Sequence, residues 1–282
     1  MSKDSRIEWT THTFNPWWGC TKVSPGCKHC YAETWARRLG FDVWGKNGRR
    51  ELSESYWKQP HVWNLEASKL SSRPRVFCAS MADVFENRRD LDKRRHRLWG
   101  LIEETPHLDW LLLTKRPENV RRLSPWLDEW PKNVWLGATA ENQHWLDKRL
   151  PYLAEQRARV LFLSCEPLLG PLNLESWMSL AEAGRIRKPN WVIGGGESGH
   201  HARPMNPEWI ASLRDQCVRN NIRFHFKQWG NWGPIGASVK NGNEVRTLFL
   251  SNGDRINVVN VGKKHAGRVL EGRTWNEIPE TR

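Results

Sequence analysis

The feature that most constrains this chain is a rhythm. Six short apolar runs recur along it: Arg75–Met81, Leu108–Lys115, Asn133–Ala140, Arg159–Cys165, Asn190–Glu197 and Ile222–Trp229. Each is short and nearly continuous, the pattern of a strand buried on both faces. Between and around them lie stretches with helical character, Tyr31–Leu39, Arg89–Glu104, Pro117–Leu127, Asn142–Gln156 and Pro207–Asn220. An earlier run, Ile7–Asn15, supplies one further strand. Parallel strands need a crossover between them, so strands alternating with helices build a parallel sheet from βα units. Seven such units over residues 7–230 predict an α/β fold, a complete or partial (β/α) barrel. An open doubly wound sheet is the other architecture that fits the same rhythm.

Two stretches break it. Residues 40–72 are rich in Gly, Trp and basic residues and read as an insertion between the first two units. Residues 231–282 carry Gly-Asn, Asn-Gly and Asn-Gly-Asp turn signals around the short runs TLFL and INVVNV, the pattern of a small β-hairpin appendage. The predicted organisation is a barrel over residues 1–230 with an insertion at 40–72, then an appendage over 231–282. The chain's 282 residues are enough to bury a core unaided. No apolar run is long enough for a membrane span, and MSKDSRIEWT has no apolar signal segment. The expected location is the cytoplasm, where thiols stay reduced.

Cysteine usage is uneven. Cys78, Cys165 and Cys217 are isolated in apolar or helical segments, as small buried hydrophobes are. Cys20, Cys27 and Cys30 crowd into one loop with the spacing C-x6-C-x2-C, turned at Pro25-Gly26. Three thiolates converging on a loop suit a metal. Zinc would need a fourth ligand, from His29, His12 or a distant cysteine. An iron–sulfur cube held by three cysteines leaves one iron open, whereas most clusters take four. A loop without metal is the third possibility.

Charge points outward. Lys and Arg number 44 against 31 Asp and Glu, a formal charge of +13, which favours polyanionic partners such as nucleic acid or nucleotide. The 19 Trp can stack on bases or fill a core. The basic stretch Arg88–Arg97 reads as a solvated helix face, or as a nucleic-acid contact. In a parallel barrel, chemistry sits where strands end. Polar residues recur there: Ser80 and Asp83; Thr114, Lys115 and Arg116; Thr139, Glu141 and Asn142; Ser164 and Glu166; Glu197 and Ser198; Lys227 and Gln228. Each alone is equally a helix cap or turn residue. The Gly194–Gly199 segment lets backbone approach a ligand, with Glu197 able to grip an ammonium or a ribose hydroxyl. It is neither a Walker loop nor a dinucleotide fingerprint.

Three cysteines on the loop after a first strand, ahead of a (β/α) barrel, resemble the radical S-adenosylmethionine enzymes. More closely, the chain resembles a phage- and prophage-type family with a radical-SAM-like three-cysteine core. The stretches carrying the resemblance are IEWTTHTFNPWWGCTKVSPGCKHCYAE, FCASMADVFE, LLLTKRPEN, VWLGATAEN, LSCEPLLGPL, GGGESGHHARPM, FKQWG and GRVLEGRTWNEIP. The resemblance implies that Cys20, Cys27 and Cys30 hold a 4Fe–4S cluster, and that S-adenosylmethionine chelates the open iron and is cleaved reductively, with electrons from an external donor. The common pattern of that superfamily is C-x3-C-x2-C, with an aromatic residue before the third cysteine. Here the first spacing is six and His29 holds the aromatic place. Its GGE after the second strand is also absent, and Ser80, Met81 and Asp83 stand there. The resemblance makes His29, Tyr31, Ser80, Glu166, Glu197 and Lys227 the candidate cofactor contacts. The predicted function is a radical-SAM-type enzyme acting on a nucleic acid or nucleotide, by lesion repair or base modification. The alternative is a non-catalytic nucleic-acid-binding protein with a structural zinc or iron–sulfur loop.

Overall fold

The computed structural model describes residues 3–234 and 242–280. In chain order the elements begin with β1 (His12–Thr13), α1 (Tyr31–Arg38), α2 (Glu54–Trp57), α3 (Gln59–Ala67), β2 (Arg75–Cys78), α4 (Asp92–Glu103), β3 (Asp109–Thr114) and α5 (Val120–Leu123). They continue with β4 (Val134–Thr139), α6 (Gln143–Ala154), β5 (Val160–Cys165), α7 (Glu175–Glu182), β6 (Trp191–Gly195), α8 (Pro207–Arg219) and β7 (Arg223–Gln228). Strands β8 (Trp232–Pro234), β9 (Val245–Phe249) and β10 (Arg255–Asn260) and helix α9 (Lys263–Ala266) complete the set.

Strands β1 to β7 form one sheet in unbroken sequential order. Pairing is parallel, with His12 opposite Val76, Arg75 opposite Asp109, Trp110 opposite Val134 and Trp191 opposite Arg223. This is the partial (β/α) barrel, not the open doubly wound sheet, whose strand order reverses at a switch point. β4 and β5 are buried at every residue, as expected for strands covered on both faces. At one sheet edge the chain's tail returns: Phe226 N donates to the Trp275 carbonyl at 2.9 Å and Glu277 N to that of Phe224 at 3.2 Å. The edge of β7 is thereby covered.

By density of contacts the chain divides into two units. The first comprises Met1–Ser24, Ala32–Ala138 and Arg149–Phe162; the second comprises Pro25–Tyr31, Thr139–Lys148 and Leu163–Arg282. The first has an aromatic core in which Trp9 packs on Phe77 and Phe14 on Tyr56, Trp57 and Trp110. The second buries Trp177, Trp191, Phe224 and Phe226. Fifteen of the 19 Trp are buried, so this unusual content mainly fills the interior.

Local chemistry explains where elements stop short of the sequence reading. Only His12–Thr13 of the run Ile7–Asn15 is strand. Upstream, Ser5 N bonds Thr11 O and Thr10 N bonds Ile7 O, and downstream Pro16 has no N–H to continue a ladder. The stretch Pro117–Leu127 is a 3-10 turn followed by α5, and it ends at extended Ser124, the residue before Pro125. Helix α8 has both expected start signals: Asn206 accepts from Glu208 N, and Pro207 follows. The insertion holds helices α2 and α3, and α7 is a further helix that the sequence reading did not include.

The C-terminal appendage is a three-stranded antiparallel sheet in the order β8-β10-β9. The Asn252-Gly253-Asp254 signal makes the β9–β10 turn, with Leu250 N bonding Asp254 O at 2.8 Å. Trp232, Val258 and Ala202 form its core. Of the other turn signals, Asn241-Gly242 lies partly outside the described residues.

Candidate functional site

Cys20 belongs to the first unit and follows Gly19, whose φ is +113° and whose amide bonds the Met81 carbonyl. A side chain at position 19 would collide with the Val43 carbonyl, so glycine is required there. Two buried arginines then fix the loop. Arg49 forks onto Glu86 at 2.7 and 3.0 Å and donates to the Thr21 hydroxyl at 3.0 Å. Arg116, just past β3, donates to the Thr21 carbonyl at 2.6 Å and stands 3.6 Å from the Cys20 sulfur. Burial pushes the Cys20 thiol up to about 12, against the opposing pull of Arg116.

Arg116 is itself held by Asp83 at 2.8 Å. The Asp83 carboxylate also accepts from Phe85 N, the Thr114 hydroxyl and Lys115 N. Of the predicted contacts, Ser80 lies in this unit and exchanges hydrogen bonds with the buried Asn15 amide, which also accepts from Met81 N at 2.7 Å. His12, weighed above as a zinc ligand, instead stacks on Trp63 and accepts from Asp4 N.

Cys27 and Cys30 belong to the second unit. Cys27 is buried at the end of the Pro25–Cys27 turn, whose Gly26 lies against the Glu141 carboxylate. Cys30 is half-buried, His29 faces His201, and Tyr31 is exposed at the start of α1. Glu166 and Lys227, from the ends of β5 and β7, meet in an ion pair at 2.6 Å, with the Ser164 hydroxyl 3.4 Å from the carboxylate.

Glu197 is placed differently. Arg203 grips both of its oxygens, at 2.6 and 2.8 Å, and the Arg203 amide adds a third bond at 2.8 Å. The same guanidinium donates to the Pro25 carbonyl at 3.0 Å. Glu197 therefore braces the cysteine turn through Arg203 rather than presenting an open carboxylate. The glycines before it serve the chain's own packing, because a side chain at Gly196 would run into the Trp229 carbonyl.

Sequence reasoning singled out Asp83 and Arg116 only as strand-end polar residues and missed Asn15, Arg49 and Arg203. Arg203 lies in the same GGGESGHHARPM stretch as Glu197, but its other partner, the Pro25 carbonyl, is 178 positions away and leaves no mark there.

The donor chemistry for a cluster is present: none of the six cysteines is tied up in a disulfide, and Arg116 offers a positive charge to the first of the loop. Among the described residues, no three His, Cys, Asp or Glu side chains are gathered as they would be around a single metal ion. No described helix is long and apolar enough to cross a membrane.

The family model described as "Protein of unknown function (DUF5131)" matches residues 4–279. The chain belongs to that family. No curated protein matches this DUF5131 chain. Among solved structures, the chain is similar to a cysteine-to-serine mutant of spore photoproduct lyase at 14% identity and TM-score 0.49. It is also similar to "Spore photoproduct lyase complexed with dinucleoside spore photoproduct" at 13% and 0.47. Both likenesses cover 92% of this chain and 71% of the other. At such identity no residue role passes from those structures to this member of DUF5131.

Proposed function

We propose that the protein is a radical-S-adenosylmethionine-type enzyme acting on a nucleic acid or nucleotide, as the motifs shared with the phage-type three-cysteine family imply. The observation that carries this reading is the cysteine loop: three cysteines outside any disulfide between the first two strands of a sequentially ordered parallel sheet, the first of them beside Arg116. In this reading Cys20, Cys27 and Cys30 hold a 4Fe–4S cluster. Such a cluster would supply one-electron reduction of S-adenosylmethionine, with the electron drawn from an external donor. The chain's own residues bind and orient. Glu166 and Lys227 offer a carboxylate to the cofactor's amino group and an ammonium to its carboxylate. Ser80, His29 and Tyr31 are the remaining proposed contacts, and Glu197 acts through Arg203 on the cysteine turn.

Anaerobic purification with iron and sulfide analysis tests the reading. Brown protein with about four irons and four sulfides per chain is expected, lost in Cys20→Ala, Cys27→Ala and Cys30→Ala and kept in Cys217→Ala. S-adenosylmethionine should perturb the electron paramagnetic resonance spectrum of the reduced cluster. Colourless protein with one zinc would replace this reading with the structural one.

A further inference from the structure

The basic stretch Arg88–Arg97 is mostly neutralised. Arg88 pairs with Asp90, Arg94 with Glu51, Arg95 with Asp92 and Arg97 with Glu54. Arg89 is an exception, with no carboxylate in ion-pair reach among the described residues. It lines a cavity of about 560 Å³ in the first unit, between the start of α4 and the segment just after α5. Arg122 lines the same cavity from α5; it too has no carboxylate partner among the described residues, only a 3.5 Å contact to Asn119. Buried Arg95 contributes a third guanidinium, and its charge offsets the one carboxylate there, Asp92, at 2.5 Å. His96 Nδ1 is committed to the Asp92 carbonyl, and Trp99 and Pro125 supply apolar wall.

Two uncompensated arginine forks from separate elements match the planar, bidentate demand of a phosphate. The volume falls within the usual range for ligand sites, larger than a bare phosphate needs, and the apolar wall suits a sugar or base. The net charge of +13 favours a polyanion.

We propose that this cavity holds a phosphate-bearing nucleotide unit, supplied by a nucleic-acid strand. The proposal rests on the nucleic-acid reading above and adds a site remote in sequence from the cysteine loop.

The test uses full-length protein without cluster and a short fluorescein-labelled single-stranded DNA, followed by anisotropy across a salt series. Arg122→Glu is expected to weaken binding about tenfold and to lower the salt slope by about 0.7 for each phosphate no longer neutralised. Arg89→Glu should act similarly, while Lys93→Glu, an equal charge change on α4 outside the cavity, should have at most a third of the effect. Thermal unfolding checks that the variants fold, and Arg122→Gln gives the same reading if Arg122→Glu does not. Competition identifies the source. Displacement of the strand by nucleoside monophosphate at lower concentration than by inorganic phosphate supports a nucleotide site, and equal displacement overturns it. Equal losses in Arg122→Glu and Lys93→Glu, or wild-type affinity in Arg122→Glu, overturn the cavity while leaving the substrate reading intact. No strand binding by wild type at low salt overturns both. Neither result depends on the iron analysis, so failure of the radical reading is seen separately.

Discussion

Two carboxylate–cation pairs at strand ends look alike in sequence and differ in structure. Asp83 and Arg116, in the first unit, have side chains only 7% and 8% exposed, and Asp83 accepts four hydrogen bonds. Glu166 and Lys227, in the second unit, are 13% and 20% exposed. The Glu166 carboxylate has the Lys227 ammonium and one long contact from Ser164. A carboxylate whose lone pairs are filled by two backbone amides, a hydroxyl and one guanidinium N–H is a structural post. One facing a single-point ammonium on a flexible stem keeps acceptor capacity for a ligand. Charge alone does not mark a binding residue; the number of partners already in place does.

The comparison can be broken most decisively at its tight end. Asp83→Ala leaves Arg116 buried without its carboxylate and should cost about 3–5 kcal/mol in urea unfolding. It should also speed labelling of Cys20, because Arg116 holds the Thr21 carbonyl. An equal cost for Glu166→Ala would remove the distinction between the pairs. Glu197→Gln comes next, at about 1.5–3 kcal/mol, since it weakens a charge-assisted fork whose carboxylate is buried. Its effect on cofactor affinity should be accompanied by loosening of the cysteine turn, seen as faster labelling of Cys27. Glu166→Gln should cost about 1 kcal/mol or less yet weaken S-adenosylmethionine binding measured by titration calorimetry. Wild-type affinity in this variant would sink its cofactor role.

The smallest expected effect is a pH dependence at His12. Burial lowers its proton affinity below the ordinary value, with nearby Asp4 opposing. The unfolded chain therefore binds the proton more readily. The contribution is fully present above about pH 6.5 and is lost as pH falls through that value towards the lower folded one. His12→Gln should flatten the acid side of the urea midpoint against pH, and an unchanged slope would place the acid sensitivity elsewhere.

The family comparison and the sheet order bear on what was legible in advance. The βα rhythm was, because strands buried on both faces must be apolar throughout, and β4 and β5 show this at each residue. The β9–β10 turn was legible from Asn252-Gly253-Asp254, since such turns need residues that tolerate positive φ, and Gly253 has a φ of +89°. A piece as short as α2 was not, because a single turn carries too little periodicity to separate from a loop.

By itself, then, the amino-acid sequence determined the parallel α/β sheet built from βα units and the single loop that carries Cys20, Cys27 and Cys30, both of which depend on local pattern and spacing; the sequential strand order, which excludes the doubly wound sheet, was decided by the tertiary structure. Only the tertiary structure decided what each polar strand-end residue faces. Glu197 and Glu166 are both carboxylates just past a strand, yet one is filled by Arg203 and the other meets Lys227. Arg95 and Arg122 are both arginines of helical segments, yet one is neutralised by Asp92 and the other stands without a carboxylate partner among the described residues. The physical reason is that packing chooses the partner a charged side chain takes: Lys227 reaches Glu166 from another strand, and near neighbours such as Glu197 and Arg203 or Asp92 and Arg95 meet only in one of the geometries their spacing allows.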